Sequence, residues 1–180
     1  MSGIRTPSSL CIRVSRDFLG ISAMALQFEG SILIIGAPGC GKTTLLRDLI
    51  RQRSDEHGEF ISVVDERQEI FPYVNNQPCY YPGQHTDILY GCSKEQGIMR
   101  VLRNMTPQTI AVDEITADED CKALLHAGWC GVNLLATAHA GSRCDLESRP
   151  IYRPLLENKL FDMLLIIHKD KTWLGERLNI

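Results

Sequence analysis

The sequence predicts an α/β fold, with a mostly parallel sheet of five core strands and helices on both of its faces. Three observations lead to this prediction. Five short apolar runs alternate along the 180 residues with patterns of helical period. A glycine-rich loop joins the first run to the first helical pattern. Two of the other runs end in acidic residues, at the sheet edge where α/β proteins bind their ligands.

The glycine-rich loop follows the apolar run 31–35 and precedes a helical pattern that begins at Lys42. It matches GxxxxGK[ST] in full, with the strand and helix that the motif requires on either side. Glycines let backbone N–H groups converge on a phosphate, and the helix N-terminus adds partial positive charge. Lys42 would reach the β- and γ-phosphates, and the Thr43 hydroxyl would bind Mg²⁺. The predicted phosphate site consists of Gly36, Ala37, Pro38, Gly39, Cys40, Gly41, Lys42, Thr43 and Thr44.

Four further core strands and an edge strand are predicted after this loop, at 60–64, 109–114, 132–137, 160–167 and 172–180. Residues 31–180 form the predicted phosphate-loop core as a single domain. Residues 1–30 form an N-terminal lead-in, in which the alternation of Leu10, Ile12 and Val14 with polar residues indicates a half-buried strand.

Helical patterns fill most of the intervals between the strands. The predicted helices cover 42–53, 94–104, where Ser93 and Gln96 form a capping pattern, 117–128, where Gly128 closes the helix, and 154–159. Residues 54–58 are a predicted polar loop. Residues 71–92 are a predicted long irregular loop whose four tyrosines indicate either a contact surface or packing onto the domain itself.

Composition limits the classes of partner. The formal net charge of −3 and the pI near 5.9 argue against nucleic acid or an anionic membrane as the partner of the whole domain, though not against a local basic patch. The seven cysteines form no C-x-x-C pair, so zinc has little support and reduced thiols in a cytoplasmic protein are the simpler interpretation. No apolar run approaches the roughly 20 residues of a membrane-spanning helix.

Two acidic residues end the strand 109–114, about seventy residues after the phosphate loop. Asp113 would help to hold Mg²⁺, and Glu114 would orient or deprotonate the attacking water. The second carboxylate favours hydrolysis of a nucleoside triphosphate over simple binding. His139 follows the strand 132–137, where a polar side chain could contact the γ-phosphate.

This order of motifs resembles the RecA-like branch of phosphate-loop NTPases. The resemblance implies that the strand 132–137 lies between 31–36 and 109–114. His139 would then lie between the phosphates and Glu114.

Nearly the whole chain resembles the stage III sporulation protein AA family. The resemblance is carried by Ser9–Val14, the phosphate loop with Thr44–Leu49, Val64–Arg67, Thr86–Leu89, Cys92–Gly97 and Ala136–His139. It implies an ATPase that uses ATP and Mg²⁺ to power the sporulation channel between mother cell and forespore. It also implies kinship with type II and type IV secretion ATPases, a homo-hexamer, and integral-membrane channel components as partners. The protein would be cytoplasmic, at the inner face of the membrane.

The secretion ATPases also imply roles for individual residues. Asp65, Glu66 and Glu69 occupy the place of their acidic box, and His139 that of their histidine box. Arg103 matches the arginine that precedes their acidic strand. We therefore expect Lys42, Glu114, Glu66, His139 and Arg103 to be the catalytic residues, with Glu114 as the base and Glu66 as the alternative. The family also has an additional domain before this region.

Two competing functions remain open. A nucleic-acid-dependent RecA-like NTPase would require a basic face, for which Arg143, Arg149 and Arg153 are the candidates. A nucleotide-binding assembly module would bind ATP without hydrolysing it. The motifs do not distinguish ATP from GTP.

Overall fold

The structure, a computed structural model, describes residue 9 and residues 16–178. The strand predicted at 10–14 lies outside the described residues. The described chain alternates strands and helices in the order β1 (Ile32–Gly36), α1 (Lys42–Glu56), β2 (Ile61–Asp65), β3 (Tyr73–Val74), β4 (Gln77–Pro78), β5 (Thr86–Tyr90), α2 (Lys94–Asn104), β6 (Thr109–Glu114), α3 (Asp118–Trp129), β7 (Asn133–Ala138), α4 (Arg143–Ser148), α5 (Arg153–Glu157), β8 (Met163–Ile167) and β9 (Trp173–Arg177).

Within the described residues one sheet has seven strands, in the order β5-β2-β6-β7-β1-β8-β9. Its neighbouring strands pair in parallel, except that β9 pairs antiparallel with β8. The fold class is therefore confirmed. The implied order is also confirmed, because β7 lies between β1 and β6. The carboxyl ends of these three strands thus meet at one edge of the sheet, beside the phosphate loop.

The sheet is packed on both faces. One apolar cluster joins the sheet to α2 and α3 and includes Val101, Leu124 and Leu164. The other joins it to α1 and includes Leu46 and Leu135. The strands β1, β2 and β8 are buried along their whole length, which explains why each appears in the sequence as a continuous apolar run.

The prediction that 71–92 is an irregular loop was wrong. This segment contains the short antiparallel hairpin of β3 and β4 and the strand β5, which extends the sheet beyond the five predicted core strands. The strand β5 pairs only with β2 and lies at the sheet edge. Its side chains are half-buried or exposed, so it lacks the apolar run by which the buried strands were recognised.

Three helix predictions also need correction. The helix α1 continues three residues past Arg53, because the Arg53 guanidinium donates to Phe28 O and Gly30 O and the next residue, Ser54, is buried. The helix α3 passes through Gly128 and ends at Trp129, and the left-handed Gly131 (φ +80°) reverses the chain. The short helix α4 was not predicted, and α5 begins one residue before the predicted 154–159.

Hydrogen bonds to Asp48, on α1, hold residues 20–22 against this helix. Its buried carboxylate accepts hydrogen bonds from Gly20 N, Ser22 N, Ser22 Oγ and Gln52 Nε2, and it pairs with Arg51 Nη2 at 2.8 Å. Burial would raise the pKa of Asp48, but the Arg51 guanidinium and the hydrogen bonds from Ser22 and Gly20 outweigh it, so its pKa lies below the ordinary value.

We therefore expect Asp48→Asn to lower the free energy of unfolding by about 2–4 kcal/mol at pH 7, because buried donors lose a charged acceptor. The native pKa is depressed, so this stability is present above the unfolded pKa, about 3.9, and is lost as the pH falls through the native value. Urea unfolding between pH 3 and pH 7 measures both effects. Glu56→Gln, at an exposed position of α1, is the matched control. Equal stability of Asp48→Asn and wild type at pH 7 would contradict this role.

Candidate functional site

The phosphate loop connects β1 to α1 through residues with special backbone geometry. Gly39 and Gly41 have φ angles of +73° and +112°, which side chains with a Cβ rarely adopt. Gly41 is the N-cap of α1, and no side chain caps this helix. The helix therefore presents its first N–H groups and its partial positive charge to the loop. This arrangement suits an anion, as the motif predicted.

A line of three side chains crosses this loop. The buried Lys42 ammonium donates to Gly36 O at 2.9 Å and Ala37 O at 3.3 Å, and its Nζ lies 3.0 Å from His139 Nδ1. On the other side of the ring, His139 Nε2 lies 2.7 Å from Glu114 Oε2. An ammonium group can only donate, so Nδ1 accepts and Nε2–H donates to Glu114. The contacts therefore fit a neutral imidazole with its proton on Nε2.

The cleft at the carboxyl edge of the sheet collects residues from distant parts of the chain. Lys42 and His139 are 97 residues apart in sequence. The cleft is lined by the phosphate loop, by β6, by β7 with the residue that follows it, and by the loop after β2. These lining residues are Pro38, Gly39, Gly41, Lys42, Thr43, Glu69, Asp113, Glu114, Thr137 and His139. The structure thus brings together most of the residues for which the sequence predicted a role.

An irregularity in the sheet helps both acidic residues of β6 to reach this cleft. The pairing of β6 with β7 shifts register between Ala111 and Glu114, so that Glu114 lies opposite Thr137. An extra residue in one strand of a pair changes the direction of the side chains that follow it. Asp113 and Glu114 both line the cleft, although consecutive side chains in a regular strand would point to opposite faces.

The loop after β2, residues 66–71, is held by hydrogen bonds to one side chain of β2 and one of α1. The Asp65 carboxylate accepts hydrogen bonds from the backbone N–H groups of Glu69, Ile70 and Phe71, at 2.8–3.0 Å. Arg47 donates to the carbonyl oxygens of Ile70 and Glu69. These contacts hold Glu69 at the cleft, while Asp65 itself is buried under the loop.

Lys94 forms a buried ion-pair cluster next to the cleft. Its Nζ lies 3.0 Å from Asp113 Oδ1, 3.2 Å from Glu66 Oε2 and 3.8 Å from Asp120 Oδ2. Burial opposes the charge on Lys94, but these carboxylates outweigh it and raise its pKa above the ordinary value. Burial also raises the pKa of Asp113, to about 6, despite the adjacent ammonium group.

The donor set suits a Mg²⁺ ion that arrives with a nucleotide. The Thr43 hydroxyl and the Asp113 carboxylate are oxygen ligands in the same cleft, and Mg²⁺ is usually held by one or two such groups together with substrate phosphates. A cation would also favour the ionised form of the buried Asp113 carboxylate. In residues 9 and 16–178 there is no cluster of three or more His, Cys, Asp or Glu side chains that would hold a metal ion alone.

Two of the expected catalytic residues lie outside the cleft lining. Glu66 pairs with Lys94, and Glu69 is the residue of the acidic box that lines the cleft. Arg103 is exposed in the last turn of α2, whereas the first turn of this helix contacts the acidic cluster. Sequence reasoning missed Lys94 and Thr137. A lysine at the start of a helix and a threonine near the end of an apolar strand carry no signal of their own.

The remaining residues of the phosphate loop do not line the cleft. Gly36 and Ala37 supply carbonyl acceptors to Lys42. The side chain of Cys40 is buried against the core cluster of α1, and Thr44 is half-buried in the first turn of that helix.

Over the described residues, no helix combines the length and the apolar character needed to cross a membrane. Two of the three arginines of the candidate basic patch are neutralised by carboxylates, and the third, Arg153, is the exposed first residue of α5. Arg143 pairs with Glu147 at 2.8 Å and Arg149 with Asp145 at 3.0 Å, each four residues away on the same short segment. This segment therefore offers little net positive charge to a nucleic acid.

Comparison with known proteins gives both a family and a fold. Residues 1–176 match the family model described as "Sporulation stage III, protein AA". The chain is 39% identical to "Stage III sporulation protein AA" of Bacillus subtilis (strain 168), over 95% of this chain and 59% of that protein.

Two solved structures have the same fold. The ATPase DotB of Legionella pneumophila superposes with a TM-score of 0.60 and 18% identity, over 88% of this chain and 48% of DotB. The pilus retraction motor PilT with bound ADP also gives a TM-score of 0.60, with 16% identity over 88% of this chain and 49% of PilT. The chain thus spans about half to three-fifths of the length of the proteins that it matches.

Proposed function

This chain belongs to the sporulation stage III protein AA family, and we propose that it is a Mg²⁺-dependent ATPase core that powers a channel between mother cell and forespore. The observation that carries the hydrolytic part of the proposal is the line Lys42–His139–Glu114 at the phosphate loop. It joins a phosphate-binding cation to a carboxylate through one imidazole ring. A phosphate bound by Lys42 can therefore affect the position of the Glu114 carboxylate through His139.

The residues of the cleft have separate roles in the proposed hydrolysis of ATP. The loop backbone and Lys42 bind and orient the β- and γ-phosphates. Thr43 and Asp113 would hold a Mg²⁺ ion, which would neutralise charge on those phosphates. Glu114 accepts a proton from the attacking water or orients it. His139 holds Glu114 in place through the Nε2–H contact. Glu69, which also lines the cleft, is a second carboxylate that can orient the water.

The partners in this proposal follow from the family. They are ATP, further copies of the chain that assemble into a homo-hexamer, and integral-membrane components of the channel. The protein would act in the cytoplasm at the inner face of the membrane. Residues 31–180 would form the ATPase core and residues 1–30 its lead-in. Arg103 would act on the nucleotide of a neighbouring subunit, since it lies away from the cleft of its own chain.

A second candidate function is a nucleotide-binding assembly module that does not hydrolyse ATP. One observation favours it. Among the described residues that line the cleft there is one lysine, Lys42, and there is no arginine that could stabilise negative charge developing on the γ-phosphate. Arginine residues placed in this way have large effects on catalysis in phosphate-loop NTPases.

The experiment that tests the proposal measures ATP binding and ATP hydrolysis by the purified chain, with Mg²⁺ and across protein concentration. We expect hydrolysis whose rate rises more than linearly with protein concentration, because in this proposal Arg103 acts on the nucleotide of a neighbouring copy. Binding without hydrolysis, even at high concentration, would support the assembly module. Stimulation by DNA or RNA would instead favour a nucleic-acid-dependent NTPase. Failure to bind ATP would overturn the assignment of the site.

A further inference from the structure

We propose that Lys94 is a positioning residue that holds the Asp113 carboxylate at the cleft, so that a divalent cation accompanying the nucleotide can bind to it. The inference rests on the proposed function, because it concerns how the same cleft accepts Mg²⁺ with ATP. It goes further by assigning a role to a buried cation that belongs to neither the phosphate loop nor the acidic strand.

The contacts of Lys94 join three separate parts of the fold. Lys94 is the first residue of α2 and is 4% exposed. Its ammonium group contacts Asp113 at the end of β6, Glu66 in the loop after β2 and Asp120 in the first turn of α3. The shortest of these distances, 3.0 Å, is to Asp113. The cation therefore lies behind the residue that we expect to bind Mg²⁺.

The start of a helix is an unfavourable place for a buried cation. The helix dipole places partial positive charge there, and removal of an ammonium group from water adds a further penalty. The helix does not need Lys94 to begin, since Ser93 caps it by accepting from Gln96 N and Glu95 supplies negative charge to its first turn. The surrounding carboxylates must offset both penalties. The buried position of Lys94 therefore depends on its ion pairs with those carboxylates.

The packing of α2 leaves Lys94 little freedom to move away. Gly97, one turn further along the helix, lies so close to β2 that an added Cβ would come within 2.3 Å of Val64 Cγ1. The helix α2 thus packs closely against β2, the strand that precedes Glu66. This contact holds the backbone of α2, and the carboxylates of Glu66 and Asp113 hold the ammonium group between them.

Without Lys94, the carboxylates at this edge would repel one another. The charges of Asp65 and Glu69 already act unfavourably on Asp113, and Glu114 is its neighbour in the chain. Removal of one partner of a buried ion pair leaves an uncompensated charge, so the Asp113 side chain would no longer be held in this position. Lys94 itself is not among the residues that line the cleft, so its effect on a bound cation passes through Asp113. Groups of this kind orient metal ligands from behind.

The test compares wild type with Lys94→Met, which removes the charge and keeps the length of the side chain. Lys122→Met, at an exposed position of α3, is the matched control. Binding of a fluorescent ATP analogue is measured first in EDTA and then across a Mg²⁺ titration, and thermal unfolding of each variant is recorded alongside. We expect metal-free binding close to that of wild type. We expect the Mg²⁺ concentration that gives half of the Mg²⁺-dependent increase in binding to rise on the order of 10- to 100-fold.

A purely structural role would give a different result. It would lower the melting temperature of Lys94→Met but leave the Mg²⁺ half-point of the folded protein unchanged, and this outcome would overturn the inference. An equal loss of binding with and without Mg²⁺ would overturn it as well. If Lys94→Met does not fold, the double variant Lys94→Met/Asp120→Asn, which removes one charge of each sign, is judged by the same two measurements. Wild type that binds no nucleotide would overturn the proposed function itself.

Discussion

We expect Lys42→Ala to lower kcat for ATP hydrolysis by about 10²- to 10³-fold, the usual effect of removing one preorganised donor from a developing negative charge. The structure gives this residue two connections. Its ammonium group is buried against the carbonyl groups of Gly36 and Ala37, and it contacts His139. Alanine removes the phosphate-binding cation and also leaves His139 Nδ1 without this donor, so that the ring can turn and release Glu114.

Two measurements separate these effects. Binding of the ATP analogue reports on the loss of the cation, and turnover at saturating ATP reports on the catalytic arrangement. The exposed Lys122→Ala serves as the control for the loss of one positive charge. ATP hydrolysis by Lys42→Ala at the wild-type rate would show that the phosphate loop is not the catalytic site.

The second large effect is expected from Glu114→Gln, with kcat lower by about 10²- to 10⁴-fold and nucleotide binding retained. Glutamine keeps the size of the side chain and can accept the hydrogen bond from His139 Nε2 through its amide oxygen. It cannot take a proton from water. The loss should therefore appear in kcat, with little change in the affinity for ATP.

Glu66→Gln and Glu69→Gln complete this comparison. Glu66 pairs with Lys94 outside the cleft lining, whereas Glu69 is one of the residues that line the cleft. We expect Glu69→Gln to reduce kcat more than Glu66→Gln does, and Glu114→Gln to reduce it most. If Glu66→Gln abolishes hydrolysis and Glu114→Gln does not, the base lies in the acidic loop and the assignment to Glu114 is wrong.

The parts of this protein that the sequence alone predicted are those encoded by neighbouring residues. One continuous segment contains the apolar run, the glycine-rich loop and the helix that follows. The strand and helix that the motif requires can therefore be read directly from the residues beside it. The strands β1, β6, β7 and β8 were recognised because central strands of a parallel sheet are apolar on both faces. The positions of Asp113, Glu114 and His139 followed from the ends of those strands.

Only the tertiary structure decided which side chains share the cleft. The sequence favoured Glu66 of the acidic box, whereas the structure brings Glu69 to the cleft, because Asp65 and Arg47 form hydrogen bonds with the backbone of the loop that follows β2. The strand β5 lies at the sheet edge and depends on its pairing with β2, which residues 71–92 alone do not encode. Lys94 lies 28 residues from Glu66 and reaches Asp113 only because α2 packs onto β2. Local sequence specifies the strands and the phosphate loop, whereas side-chain direction and burial at this edge depend on contacts between distant segments.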